Sequence, residues 1–164
     1  MRESYKSLSN KAATEIVEVM PWELETMMGQ LGDLIVLDVR ERGEFEAAHI
    51  AGAINVPRGI LEAACEWDYA ETEPDLVMGR QRPVVVVCRS GNRSALAALV
   101  LKTIGVENVA SMKLGIKGWN DGDLALVDCR GMRVDPDDAA HLITPTLARE
   151  QIDPARRKPL TTAT

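Results

Sequence analysis

Seven consecutive residues, Cys88-Arg89-Ser90-Gly91-Asn92-Arg93-Ser94, hold the side chains and backbone a reactive thiol needs. Cysteine attacks as the thiolate, so its surroundings must favour negative charge. Ser90, Gly91 and Asn92 are small and turn-prone, and a backbone curled around them aims several N–H groups at one point. Arg89 and Arg93 add two permanent cations. Ser94 is a candidate N-cap for a following helix, whose N-terminal end carries partial positive charge. A buried cysteine at a strand end is the plain alternative. A nest and two arginines serve no packing purpose, which favours the nucleophile.

No histidine is needed beside this thiol. The chain has two, His49 and His141. His49 precedes a short extended piece and reads as a structural hydrogen-bonder, and His141 lies in a weakly patterned region. Activation is therefore expected from the loop backbone, the helix end and the arginines. Cys65 and Cys129 are read as bystanders. An odd number of cysteines without CxxC spacing suits neither a disulfide scaffold nor a zinc site. The reading is a reducing cytoplasm and no metal or organic cofactor.

The elements that must position Cys88 follow from the pattern on either side. Val84-Val85-Val86-Val87, after Pro83, is the strongest strand signal in the chain. The Ala- and Leu-rich run from Ala95 to Ile104 reads as a helix closed by Gly105. Leu34 to Val39 is a continuous apolar run, as in a strand buried on both faces of a parallel sheet. Short strands are expected at 16–19, 53–56 and 109–112. Helices are expected after Pro21, at 41–48 and at 115–120. Strands alternating with helices give an α/β domain with a mainly parallel sheet flanked by helices on both faces. Ligands collect at the carboxyl ends of such strands, where Cys88 sits.

Residues 1–13 read as a polar arm, 14–128 as the domain, and 129–164 as an irregular, partly disordered tail with scattered prolines. In the segment 58–82, Ile60, Leu61, Ala64 and Trp67 suggest one helix. Trp67, Tyr69 and the acidic stretch after them are a candidate docking or dimer surface, with a solvated excursion as the alternative.

The chain has 164 residues, 46% of them hydrophobic, enough to bury one core. Its net charge of −6 argues against general binding to nucleic acid or anionic membrane. No run approaches the roughly 20 apolar residues of a membrane span. Any anion bound must be held by a local donor cluster against the global field.

These residues resemble the rhodanese family. Leu37-Asp38-Val39-Arg40, Glu44-Phe45 and His49-Ile50-Ala51-Gly52-Ala53-Ile54-Asn55-Val56-Pro57 look like its first signature, and the Cys88 loop like its active-site signature. Leu114-Gly115-Ile116-Lys117-Gly118-Trp119 resembles its Gly-Gly-x-x-x-Trp turn, with Leu114 in place of the first glycine. The resemblance implies a single-domain sulfurtransferase that holds a sulfane sulfur as a persulfide on Cys88. The donor would be an anion such as thiosulfate, and the acceptor cyanide, a thiol or a protein. Backbone N–H groups from Arg89 to Ser94 would cradle the sulfur, and Arg89 and Arg93 would attract the donor. Asp38 and Arg40 would support the loop, a surface or capping role being the alternative. Two other readings are a non-catalytic binding module and a cysteine phosphatase. Four residues separate Cys88 from Arg93, whereas cysteine phosphatases place five there. The shorter loop suits a sulfur atom better than a tetrahedral phosphate. The chain would act as a monomer or homodimer.

Overall fold

A computed structural model describes residues 2–157. The strands are β1 (Val17–Val19), β2 (Ile35–Asp38), β3 (Ile54–Asn55), β4 (Val84–Val87) and β5 (Val109–Met112). They form one sheet in the order β1-β5-β4-β2-β3, and every pair is parallel. The helices are α1 (Tyr5–Thr14), α2 (Pro21–Gln30), α3 (Arg42–Ala47), α4 (Leu61–Ala64), α5 (Pro74–Met78), α6 (Asn92–Thr103), α7 (Gly115–Asp121) and α8 (Pro136–Ile143). Among the described residues, no helix is long and apolar enough to cross a membrane.

The central strand explains why four valines in a row are needed. Side chains alternate across a sheet. Val84, Val86 and Cys88 pack into one core layer with Leu37, Leu61, Leu76, Ala97 and Leu101. Val85 and Val87 pack into the other with Leu24, Ile116, Trp119 and Leu126. With helices on both faces, neither side of β4 meets water, so β-branched apolar residues are favoured at every position. Cys88 continues the alternation as the first residue beyond the strand, which buries its sulfur.

Both ends of the chain differ from the sequence expectation. The expected N-terminal arm is helix α1. Ser4 caps it by accepting the Ser7 N–H, and Ala12 packs against Ala95 and Leu96 of α6. The expected irregular tail contains α8, whose Ala139 and Ile143 belong to the second core layer. Asp135 caps α8 and Pro136 occupies its first turn, a helix-start signal hidden among the scattered prolines of this region. Val127 forms antiparallel bridges with His49 and Arg133, tying this extension to the body. Residues 158–164 of the expected tail lie outside the described residues. The segment 58–82 contains α4 and α5 in place of one helix. Leu61, Ala64, Cys65 and Leu76 are core residues, while Trp67 and Tyr69 are exposed outside any helix.

If α8 is an integral part of the core, Ile143→Ala should lower unfolding free energy by about 2–3 kcal/mol, as cavity-forming substitutions do. Denaturant unfolding measures this, and a midpoint equal to that of the unaltered chain would mean α8 contributes nothing.

Candidate active site

The loop begins where β4 ends and turns at once into α6. Gly91 makes the turn with φ of 93°, a left-handed conformation that glycine adopts without strain. The helix therefore starts at Asn92, three residues earlier than expected, with Gly91 as its N-cap. Ser94 is not the cap; it sits inside the first turn. This places the Ser94 N–H among the donors that no helical carbonyl can satisfy. It points at the thiol instead, 3.3 Å from Cys88 Sγ, and the Gly91 N–H lies 3.2 Å from the same atom. The N–H groups of Arg89, Ser90, Asn92 and Arg93 have no acceptor among the described residues. Cys88 itself is 1% exposed.

The β5–α7 turn fixes the loop from outside. The Ile116 and Lys117 N–H groups donate to the Cys88 and Arg89 carbonyls at 2.8 and 3.0 Å. The approach is so close that a Cβ on Gly115 would lie 2.4 Å from the Arg89 carbonyl and the Ser90 nitrogen. Gly115, at φ of 62°, is required on both counts. Leu114 is less ordinary. It also has a left-handed backbone, φ of 67°, which costs a non-glycine residue about 1–2 kcal/mol. Its side chain lies over Gly118, where a Cβ would approach Leu114 Cβ to 2.3 Å. Leucine at 114 and glycine at 118 are thus a matched pair.

The two loop arginines have different surroundings. Arg93 donates to both carboxylate oxygens of Glu44 on α3 at 2.7 Å. Its charge is compensated inside the protein, which corrects the expectation that it attracts a donor anion. It clamps α3 to α6. The Arg93 hydrogen bonds hold the Glu44 carboxyl below its ordinary 4.5, with burial acting in the opposite direction. Arg89 is half-buried and in no ion pair among the described residues. Arg58, just past Pro57, is exposed and also in none.

Tyr5, at the start of α1, belongs to the same neighbourhood. Burial first, then the negative charge available to Cys88, pushes its hydroxyl up, while Arg93, Arg58 and Arg89 act in the opposite direction. From the same helix, Ser9, Asn10 and Ala13 share a cavity of about 210 Å³ with Ser90, Gly91, Asn92 and Ala95. The first residues of the chain therefore border the loop. Nothing in their spacing announced it. Glu44 stood in a quoted motif, but its partner was not legible.

Asp38 and Arg40 are not surface residues. They are 0% and 2% exposed. Arg40 donates to both Asp38 oxygens, at 3.0 and 2.7 Å, and to the Ala48 carbonyl at 2.7 Å. Asn55 bridges their two carbonyls, and Val39 N–H reaches the Val87 carbonyl beside Cys88. Removing one partner of such a buried pair typically costs about 3–5 kcal/mol. The other thiols are elsewhere. Cys65 is buried and its thiol is pushed up to about 11, chiefly by burial, while Cys129 is exposed. His49 stacks on Phe45 at 3.8 Å and contacts the Phe45 carbonyl through Nδ1, an arrangement of support.

Comparison with known proteins gives a match to the rhodanese-like domain model over residues 20–122. An adenylyltransferase and sulfurtransferase of Pyricularia oryzae is 37% identical over 107 residues, covering 58% of this chain and 22% of that protein. The chain spans 20–55% of the length of that protein and of two other curated relatives. The thiosulfate sulfurtransferase GlpE of Tolumonas auensis is 33% identical over 90 residues, 55% of this chain and 76% of that one. Among solved structures, a Rhodopseudomonas palustris protein of unknown function, described as a possible tyrosine phosphatase, superposes with a TM-score of 0.67. It is 25% identical and covers 75% of this chain and 93% of its own.

The Glu44–Arg93 pair yields a pH signature. A carboxyl titrating lower in the folded state stabilises fully above its unfolded value, here 4.5, and loses that contribution as pH falls through the folded value. Glu44→Gln should therefore melt below the unaltered chain near neutral pH, and the gap should close as pH falls below 4.5. Thermal melts across that range are the measurement, and a pH-independent gap would contradict the assignment.

Proposed function

Since the chain belongs to the rhodanese-like domain family, we propose that it carries sulfane sulfur as a persulfide on Cys88. The observation that carries this reading is the convergence of the Gly91 and Ser94 N–H groups on Cys88 Sγ in a loop of four residues before Arg93. The relatives named as sulfurtransferases support sulfur transfer as the general activity.

The chemistry balances without a cofactor. The Cys88 thiolate attacks the outer sulfur of a donor such as thiosulfate. A sulfur–sulfur bond forms on Cys88, the donor's own sulfur–sulfur bond breaks, and sulfite leaves with the electron pair. The terminal sulfur of the persulfide is negative. The free N–H groups of Arg89, Ser90, Asn92 and Arg93 are the donor set that would hold it. A thiolate or cyanide then takes that sulfur and releases the Cys88 thiolate. Arg89 and Arg58, uncompensated among the described residues, supply the attraction for an anionic donor in a chain of net charge −6. Arg93, spent on Glu44, holds the loop in place. Asp38 and Arg40 support it by fixing the end of β2. Transfer to a protein thiol is part of this reading, with a reducing cytoplasm as the compartment that keeps Cys88 free.

A phosphatase would use the same residue differently, and the similarity to a protein described as a possible tyrosine phosphatase brings that reading forward. The loop argues against it. Two N–H groups already touch the sulfur, and the cradle is one residue shorter than the phosphatase spacing.

Intact-mass measurement after incubation with thiosulfate should show the gain of one sulfur atom, removed by cyanide and absent in Cys88→Ser. Absence of an adduct with any sulfane donor would leave the binding module as the better reading. In steady-state assays, Arg89→Ala should raise the KM for thiosulfate about 5- to 10-fold while leaving a neutral donor little changed, as expected for loss of a local charge. Equal losses for both donors would assign Arg89 a structural role.

A further inference from the structure

Cys88 is joined to two serine hydroxyls whose arrangement goes beyond a cradle. Ser94 on α6 and Ser111 on β5 are both 0% exposed. Ser94 Oγ lies 3.3 Å from Cys88 Sγ, 3.1 Å from the Gly91 carbonyl oxygen and 2.8 Å from Ser111 Oγ. A hydroxyl has one proton and two lone pairs. With the Ser94 proton on the Gly91 carbonyl, both lone pairs are left for donors. The Cys88 thiol and the Ser111 hydroxyl are the two donors that reach them. The count is complete, and among the described residues no buried side-chain nitrogen or oxygen lacks a partner.

Loss of the thiol proton to a solvent base changes the count. A thiolate accepts and cannot donate, so Ser94 Oγ loses one donor and the sulfur needs another. Rotation of one hydroxyl answers both. The Ser94 bond to the Gly91 carbonyl breaks and a bond from Ser94 to the sulfur forms. The Gly91 carbonyl is not orphaned, because the Ala95 N–H also donates to it at 3.1 Å. Ser111 donates to Ser94 Oγ before and after. It is the fixed end of the chain. It fills one lone pair, keeps the Ser94 proton turned away from β5, and strengthens Ser94 as a donor because linked hydrogen bonds polarise one another.

We propose that Ser111 is a positioning residue for the reactive sulfur, acting through the Ser94 hydroxyl. The inference rests on Cys88 being the sulfur carrier, and it deepens that reading by assigning a role to a strand that bears none of the loop. Its alternative is that Ser111 is a buried strand residue satisfied by the nearest hydroxyl.

Alkylation of Cys88 by iodoacetamide in the full-length protein, followed on the Cys88 peptide by mass spectrometry, separates the two. Ser111→Ala should slow alkylation about 5- to 10-fold, the weight of roughly one hydrogen bond. It should lower kcat for sulfur transfer by a similar factor and leave the thiosulfate KM within about twofold. Ser94→Ala should slow alkylation at least as much, and adding Ser111→Ala to it should change nothing more, since the effect travels through Ser94. Ser111→Thr, which keeps the hydroxyl, should restore the rate. An unchanged rate in Ser111→Ala, or effects that multiply in the double variant, would overturn the proposal. Should the alanine variant fail to fold, Ser111→Thr and Ser111→Val carry the same readout, since they differ only in the hydroxyl. Alkylation needs no sulfur donor, so this result stands apart from whether a thiosulfate adduct forms.

Discussion

A sulfur atom cut off from water has to find its hydrogen-bond donors in the protein, and the architecture around Cys88 follows from that constraint. The donors are backbone N–H groups, so the peptide planes must turn inward and their carbonyls must be satisfied on the other side. Gly91 makes the turn that starts α6 early and frees the Ser94 N–H. The first N–H groups of α7 take the outward carbonyls of Cys88 and Arg89. Gly115 permits that approach because it has no Cβ. Each is a backbone requirement, and together they leave side chains free for other work.

Charge is distributed by the same economy. Four arginines lie in or around the loop, and they are not equivalent. Arg40 is locked on Asp38 at the end of β2, and Arg93 is locked on Glu44 at the loop. Both are fixed by bidentate geometry that lysine could not copy. Arg58 and Arg89 hold no carboxylate among the described residues, and they are the cations available to a ligand. In a chain of net charge −6, Asp38 and Glu44 are each matched by an arginine, which leaves Arg58 and Arg89 as the uncompensated members of the four.

The sheet, most helices and the loop were legible in the sequence. Val84–Val87 is the strongest strand signal, Leu34–Val39 reads as a strand buried on both faces, and the Ala- and Leu-rich run after the Gly-bearing turn reads as a helix. Local patterns carry such features because strand and helix periodicity are set by the backbone itself. The helix start was misplaced by three residues, since Ser94 looks like a cap and only the turn geometry shows Gly91 serving instead. Helices α1 and α8 were missed because one lies in a polar stretch and the other among scattered prolines, and both carry weak periodicity. Their stability comes from the few apolar residues that find the body, Ala12 at one end and Ala139 with Ile143 at the other.

The sequence by itself determined which cysteine stands at the end of a parallel strand and the length of the loop that follows it. These depend on neighbours a few residues apart. Tertiary structure alone decided which partners meet there. Glu44 reaches Arg93 across 49 positions, Ser111 reaches Ser94 across 17, and Tyr5 comes to the loop from the start of the chain. Pairings at such separations leave no periodic trace. They exist because packing α3, β5 and α1 around one strand end brings charge and hydroxyl groups within bonding distance, and only the folded chain specifies which.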